Sequence, residues 1–244
     1  MNIRAFKNLL KPLLNTPFHP QWLLTQSKNK TAEYIKSIGS DKTVLDVGCF
    51  NKWPRQLLPE NCNYIGLDYF ETATDWYGSV PDVFGDACHL PIQTSAIDVV
   101  LLLDVLEHLP SAEDALCEIS RVLRPGGSLI VQIPFLYPLH DEPRDYSRLT
   151  HYGFAALANK HGLDIERCNA QGVPIETAAL LTNIAITKVV FGWIAQKKPA
   201  VIFSVLAPII ILLVNLFAKG INGISQQDDF MPYSYQLVAK KRFQ

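Results

Sequence analysis

The sequence predicts an α/β fold built on a mostly parallel sheet, and three observations carry that expectation. Short apolar runs at 43–47, 63–67, 98–103 and 128–133 each stop at an acid, a glycine or a proline, the punctuation of buried parallel strands. Between them lie stretches of helical spacing, as in 111–123, where Ala115, Ile119, Val122 and Leu123 share one face. The run 98–103 is apolar on both faces, so the sheet must be covered on both sides. At 244 residues and 48% hydrophobic content, the chain can form one sizeable α/β domain with appendages.

In order along the chain, residues 2–14 place Ile3, Phe6, Leu9, Leu10, Leu13 and Leu14 at helical spacing with Arg4, Lys7 and Lys11 between them. This is a short basic amphipathic helix, suited either to pack on the domain as a lid or to touch a membrane surface. A second short helix over 31–38 leads into the first strand, 43–47. After Gly48 comes Cys-Phe50-Asn-Lys52. A positive φ at Phe50 would cost on the order of 1 kcal/mol or more, so the sequence predicts a changed turn, with Trp53-Pro54 opening a brief helix. The second strand, 63–67, is followed over 71–81 by a loop or irregular helix containing Trp76 and Tyr77. Residues 83–87 form the third strand and its end, and 98–103 the fourth. Ser111 to Asp114 resembles a capping box for a helix that stops before Arg124, and Arg124-Pro-Gly-Gly127 turns the chain into the fifth strand, 128–133. Thr150 caps a helix that runs through His161, 163–170 is a sixth strand, and 233–240 is the last.

The candidate chemistry sits at the strand ends. Asp46 and Gly48 close the first strand, and Asp68 closes the second about 20 residues later, where nucleotide-binding α/β units place an acid against ribose hydroxyls. Asp86 ends the third strand and is either a ligand contact or a loop cap. Asp104, Glu107 and His108 follow the fourth strand directly, on the side where open α/β sheets bind ligands. His108 is a candidate general base, its competing role being structural. The stretch 134–148, PFLYPLHDEPRDYSR, gathers His140, Asp141, Glu142, Arg144, Asp145, Tyr146 and Arg148. It is either a loop that closes over the pocket and touches substrate or a solvated polar loop.

A formal net charge of −1 gives no reason to expect nucleic acid as a partner. Five scattered cysteines without a CxxC point to neither a disulfide framework nor a zinc site, and no metal site is expected. G-x-G-x-x-G is absent, which weakens a nicotinamide dehydrogenase reading. The first 24 residues are broken by Lys7, Lys11, Pro12, Pro17 and His19 and do not read as a signal peptide, which places the enzyme domain on the cytoplasmic side. Composition then changes over 177–218: residues 199–218 carry no charge, and 178–195 is apolar apart from Lys188. Length permits a span. However, the chain must return to the sheet it left, and a double crossing would carry Lys197 and Lys198 to the far side and Lys188 into the bilayer. A helical hairpin lying in or dipping into the cytoplasmic leaflet fits better, with a dimer interface or a lid over an apolar pocket as its alternatives.

The motifs VLDVGC, YIGLD, GDACHLPIQTSAIDVVLLLDVLEHL and RVLRPGGSLIVQIP occur in the order and at about the spacing of class I S-adenosylmethionine-dependent methyltransferases, which this chain resembles over roughly 43–170 and in its last strand. The resemblance implies a Rossmann-like, doubly wound, mostly parallel seven-stranded sheet whose C-terminal strand is antiparallel, with the hydrophobic helical insertion before it. It implies S-adenosylmethionine as cofactor, held by Asp46, Gly48, Asp68, Asp86, Ala87 and Asp104, with the Cys88 backbone beside them. The chain departs from the family's D-x-G-x-G-x-G at Phe50 and Lys52. His108, His140 and Tyr146 are the acceptor-side candidates. The expected organisation is an N-terminal helical segment over 1–40, a core over 41–176 and 231–244, and the insertion over 177–230. The expected activity is methyl transfer to a small or lipid- or glycan-linked acceptor by a peripheral or monotopic protein on the cytoplasmic membrane face. The rival is a membrane scaffold that kept the fold without catalysis. Acceptor identity and oligomeric state are open.

Overall fold

The computed structural model describes residues 11–25, 28–224 and 228–243. The amphipathic helix expected over 2–14 falls almost wholly outside the described residues, which begin with a 3-10 turn, Lys11–Leu13. The chain divides into two compact units, one drawing on residues up to 29 with 136–138 and 171–233, the other on 30–135, 139–170 and 234–244.

The second unit is built on the sheet. Its strands are β1 (Thr43–Val47), β2 (Asn63–Asp68), β3 (Val83–Phe84), β4 (Ile97–Leu103), β5 (Leu123–Pro134), β6 (Leu163–Gln171) and β7 (Ser234–Lys241), in spatial order β3-β2-β1-β4-β5-β7-β6. Strands β3 to β5 pair in parallel, and β7 runs antiparallel to β5, with Ser128 opposite Lys240. This is the seven-stranded arrangement that the motifs implied.

Alternate residues of a strand point to opposite faces, which explains why β4 is apolar throughout. Val100 and Leu102 pack with Leu45, Val47, Leu129 and Val131 against helices α2 (Ala112–Val122) and α3 (His151–Lys160), through Leu116, Ile119, Phe154 and Ala158. Val99 and Leu101 face the other way, with Val44 and Ile130, against Ile35 of α1 (Lys28–Lys36) and Ile38 just beyond it. The Ser111 hydroxyl accepts the Asp114 N–H at 3.2 Å and the Thr150 hydroxyl accepts the Gly153 N–H at 3.0 Å, so both expected caps are formed.

Two turns differ from expectation. Arg124-Pro-Gly-Gly127 lies inside β5, which begins at Leu123, and the β4 register shifts between Ile97 and Val99. Gly126 takes φ +74° there, and a Cβ on Gly127 would come within 2.9 Å of the Arg124 carbonyl oxygen, so the glycines allow a bulge in the strand rather than a turn before it. The second difference is the turn after β1. Gly48, Phe50 and Lys52 have φ of 74°, 43° and 55°, so every position where the family carries glycine keeps the left-handed backbone. The turn has not changed; side chains occupy it. The Gly48 and Cys49 N–H groups both donate to the Leu67 carbonyl, at 2.8 and 3.1 Å, and the Phe50 N–H donates to Asp68 Oδ2 at 3.0 Å. The Lys52 ammonium reaches Asp82 at 2.6 Å, whose other oxygen accepts the Gly66 N–H. Trp53–Leu57 then forms the brief 3-10 helix, with Pro54 in its first turn.

In the first unit, α4 (Pro174–Ala195) is followed by a 3-10 stretch, Pro199–Leu206, and α5 (Ala207–Ile224). The two long helices form a hairpin. Ala207, Ile211, Asn215 and Ala218, spaced three or four apart, are its buried stripe on α5. Asn183 Nδ2 donates to Asn215 Oδ1 at 2.9 Å, and Asn215 Nδ2 donates to the carbonyls of Pro17 and His19. Asn222 donates to Glu176 at 2.7 Å, with Lys219 Nζ 3.7 Å from the same oxygen.

The strained turn gives a paired expectation. Phe50→Gly removes the steric penalty but also the ring's contact with Tyr77, and should change stability by less than about 1 kcal/mol in urea unfolding. Phe50→Val puts a β-branched side chain at positive φ and should cost more than about 1 kcal/mol; equal costs would show that the left-handed backbone is not what the position resists.

Candidate functional site

The register of β2, β1 and β4 sets Val47 opposite both Leu67 and Leu102, so the chain leaves all three strands at one edge of the sheet. Gly48, Asp68 and Asp104 therefore come together. A Cβ on Gly48 would lie 2.4 Å from Val105, which ties the glycine to the turn after β4 as well as to its own φ. Asp68 is buried, with Oδ1 accepting the Tyr69 N–H at 2.8 Å and Oδ2 that of Phe50. Burial raises its pKa and the two backbone N–H groups oppose the rise. Asp46, on β1, is buried and accepts the Tyr64 hydroxyl. Burial pushes its pKa up to about 7, the Tyr64 hydrogen bond pulls it down, and the Asp68 charge adds to the rise.

Asp104 takes φ +54° and is exposed at the end of β4. Its Oδ2 accepts from Gln132 Nε2 at 2.7 Å. Gln132 Oε1 accepts the Thr31 hydroxyl, which itself accepts from Gln236 Nε2, so a relay from α1, β5 and β7 orients this carboxylate. Asp86 lies at the end of β3 and accepts the Cys88 N–H at 2.8 Å, which is the loop-cap arrangement; its side chain is half exposed, and Ala87 beside it is buried.

Beyond β4, the 3-10 turn Leu106–His108 carries Glu107, buried with neither oxygen hydrogen-bonded among the described residues. Burial first, then the Asp104 charge, pushes its pKa up to about 8. The His108 and His140 rings stand edge to face, centroids 4.9 Å apart, and Glu107 Oε1 lies 3.7 Å from His108 Nε2 and 3.8 Å from His140 Nε2. Residues 139–148 are fastened over this turn. The Tyr146 N–H donates to the Glu107 carbonyl at 2.8 Å, His108 Nδ1 pairs with the Arg144 carbonyl, and the His140 N–H donates to Asp145 at 2.9 Å. Hydrogen bonds from Arg148 hold the Asp145 carboxyl down at about 2. The Arg144 guanidinium pairs with Glu71 and lies over the rings of Tyr69 and Trp76, 5.2 and 5.5 Å from their centroids.

Of the acceptor-side candidates, the structure brings His108 and His140 together. Tyr146 joins them through its backbone while its side chain is exposed. Sequence reasoning named Glu107 beside Asp104 and His108 as a candidate for the cofactor's methionine end and the reaction, and named Arg144 and Tyr77 only as members of the polar loop and of the aromatic stretch. Tyr77 ends a π-helical turn, Thr72–Tyr77, its ring 4.7 Å from that of Phe50 and its hydroxyl donating to Asp141 at 3.3 Å. Burial, then the charge of and hydrogen bond to Asp141, push its pKa up to about 12, with smaller contributions from Asp68 and Glu107. The aromatic density of 71–81 was the available signal for it.

Residues 45–131 match the family model described as a methyltransferase domain. A Mycolicibacterium smegmatis protein named "Probable S-adenosylmethionine-dependent methyltransferase" is 34% identical over 98 residues, which are 38% of each chain. The sterol 24-C-methyltransferase of Schizosaccharomyces pombe is 35% identical over 106 residues, 38% of this chain and 28% of that one. The match thus spans less than two fifths of either relative. Among solved structures, the [4+2]-cyclase SpnF superposes with a TM-score of 0.55 at 15% identity, over 98% of this chain and 95% of that one. Residues 45–131 are thus similar to a methyltransferase domain, and the chain carries the seven-stranded fold of class I methyltransferases, whose cofactor is S-adenosylmethionine. A cyclase on the same fold shows that fold alone does not fix the reaction.

The buried acid of β1 has a measurable signature. Its carboxyl pKa is raised from 3.8 to about 7 in the folded protein, so the folded form binds the extra proton and stability falls as pH rises from about 4 to 7. Asp46→Asn keeps an acceptor for Tyr64 and cannot ionise. Urea unfolding should find it more stable than the parent by about 1 to 4 kcal/mol at pH 8 and within about 1 kcal/mol at pH 4.5, a difference that would vanish if Asp46 did not titrate on folding.

Proposed function

We propose that this protein is an S-adenosylmethionine-dependent methyltransferase acting on an apolar small-molecule or lipid-linked acceptor at the cytoplasmic face of a membrane. The observation that carries the methyl-transfer reading is the turn after β1: all three glycine positions keep their left-handed backbone, next to a buried acid at the end of β2. A cofactor-shaped loop has been retained although glycine has not. S-adenosylmethionine supplies an electrophilic methyl group on a sulfonium leaving group. The donor set fits it. Asp68 and Asp104, at the ends of the strands on either side of β1, offer carboxylates for hydroxyl and ammonium groups, Gly48 lets the backbone approach, Asp46 braces the turn, and Asp86 with the Ala87 and Cys88 backbone edges the far side. In this reading residues 139–148 would cover the cofactor's methyl group, and His108, His140 and Tyr146 would orient the acceptor or take up its proton.

The membrane reading rests on the hairpin. Pro174–Ala195 and Pro199–Ile224 have mean hydropathies of 1.6 and 2.7, with only 22% and 17% of their most apolar windows buried. Ile202, Phe203, Val205, Ile209, Leu213 and Phe217 are exposed. Because the chain returns from the hairpin to β7 in the same sheet, and Lys188 stands exposed in the middle of α4, a hairpin lying in one leaflet is favoured over a span. A relative that acts on a sterol is consistent with an apolar acceptor.

Isothermal calorimetry should show micromolar S-adenosylmethionine and S-adenosylhomocysteine binding, weakened at least about 10-fold in Asp68→Asn, with NAD failing to compete. Absence of binding by folded protein would mean that the Phe50 and Tyr77 rings close the pocket, and would favour a scaffold without catalysis. For the membrane, vesicle flotation should recover the parent protein with lipid and leave the triple variant Ile202→Glu, Phe203→Glu, Ile209→Glu in the soluble fraction. Unchanged flotation of that variant would remove the hairpin from the binding surface.

A further inference from the structure

Three side-chain atoms of the site converge at separations too long for hydrogen bonds among themselves. Glu107 Oε1, His108 Nε2 and His140 Nε2 all lie within 4.8 Å of one another, with the carboxylate 3.7 and 3.8 Å from the two nitrogens. Glu107 is 2% exposed, and neither of its oxygens has a hydrogen-bond partner among the described residues, which is costly for a carboxylate.

The far side of the His108 ring fixes its tautomer. His108 Nδ1 abuts the Arg144 carbonyl oxygen, which can only accept, so the hydrogen resides on Nδ1 and a neutral ring turns its Nε2 lone pair toward Glu107. His140 Nδ1 lies 3.4 Å from both Asp145 Oδ2 and Arg148 Nη2, so it can donate to the carboxylate or accept from the guanidinium. With the hydrogen on Nδ1, toward Asp145, two imidazole lone pairs and a carboxylate face one point. Rings that donate Nδ1–H to a backbone carbonyl and a carboxylate while offering Nε2 inward have the outer-shell arrangement of metal-ligating histidines.

We propose that Glu107, His108 and His140 form a three-ligand site for a divalent transition-metal ion, zinc by preference, with at least one coordination position open to the pocket. Two imidazoles and one carboxylate are a donor set used by catalytic zinc. With metal–ligand distances of about 2.0 to 2.2 Å in tetrahedral geometry, neighbouring ligand atoms stand about 3.4 Å apart. Closing 3.7 and 3.8 Å to that value takes a few tenths of an ångström at the two carboxylate–imidazole pairs, and the two nitrogens, within 4.8 Å of each other, close by at most about 1.4 Å. The sequence signalled none of this, because His140 lies 32 positions beyond His108 and no ligand-spacing motif joins them. What the ion does for the reaction rests on the methyl-transfer reading: at the open position it would hold an acceptor hydroxyl and lower its pKa. Metal binding itself does not depend on that reading.

The test uses full-length protein with a tag that contains no histidine, stripped by chelator and titrated with cobalt chloride without S-adenosylmethionine or acceptor. Visible absorption of nitrogen- and oxygen-ligated cobalt should saturate at one equivalent, in the parent and in Cys117→Ser, which removes an exposed thiol as a stray ligand. His140→Gln and Glu107→Gln should each weaken binding by about 100-fold or more. His140 sits in a loop, and Glu107→Gln removes a buried charge, so both should fold; circular dichroism in chelator verifies it. Zinc should raise the melting temperature of the parent and of neither variant. No cobalt signal from folded parent, or an unchanged affinity in both variants, overturns the proposal. The titration needs neither cofactor nor acceptor, so its failure is distinct from a failure of S-adenosylmethionine binding.

Discussion

The parallel register of β2, β1 and β4 is the constraint on which everything at the candidate site depends. Parallel neighbours all end at the same edge, so Gly48, Asp68 and Asp104, which follow Val47, Leu67 and Leu103, are brought together although they are far apart in the chain. Backbone bonds then extend the edge outward. Tyr146 donates to the Glu107 carbonyl, and Arg144 joins residues 139–148 to the π turn through Glu71. The Gln236–Thr31–Gln132–Asp104 relay works from beneath, turning the choice of polar residues on β5, β7 and α1 into the orientation of one exposed carboxylate. Each link is worth about 1 kcal/mol net, and their value lies in fixing direction.

How much of this was legible follows from which physical signals are local. The strands were legible because a buried parallel strand must be apolar on both faces; Thr43–Val47 was read residue for residue and β2, β4, β6 and β7 to within one residue at each end, whereas β5 begins earlier than expected and β3 is confined to Val83–Phe84. Caps were legible because Ser111 and Thr150 bond within three residues. The turn after β1 was misread because absence of glycine was taken as absence of positive φ. Tertiary hydrogen bonds from Gly48, Cys49 and Phe50 to the end of β2 hold the left-handed backbone, and bonds of about 1 kcal/mol each offset a penalty of similar size. The Glu107, His108 and His140 cluster had no local signature. It exists only because residues 139–148 fold back over the Leu106–His108 turn, and no periodicity encodes such a contact.

The hairpin shows the complementary case, in which composition was loud and geometry silent. Apolar residues all round a helix say only that it avoids water. Asn183 and Asn215, isolated polar residues in the sequence, prove to be a fully buried pair. Leaving either unpaired would cost about 1 to 3 kcal/mol, so this contact disfavours any sliding of α4 along α5. The outward faces remain apolar, with Phe203, Leu213 and Phe217 each more than 60% exposed. A contiguous patch of this kind is uncommon on monomers that meet only water.

The distribution of charge gives the site its direction. Asp46, Asp68 and Glu107 are all at most 4% exposed, and burial raises the pKa of each. Asp145, by contrast, is held down by Arg148, and Lys52 is committed to Asp82. The protein therefore pairs Asp145 and Asp82, while among the described residues no lysine or arginine pairs with Asp46, Asp68 or Glu107. Three such carboxylates in one region repel one another and resist ionisation, a cost that a core selected only for stability would not carry. A positively charged guest reverses the balance, since it favours the ionised form of every acid it approaches. In the proposed function a sulfonium cofactor that also carries an ammonium group would meet that requirement at Asp68 and Asp104, and the proposed divalent ion would meet it at Glu107. The buried acids Asp68 and Glu107, whose ionisation burial opposes, are what would select cationic ligands there.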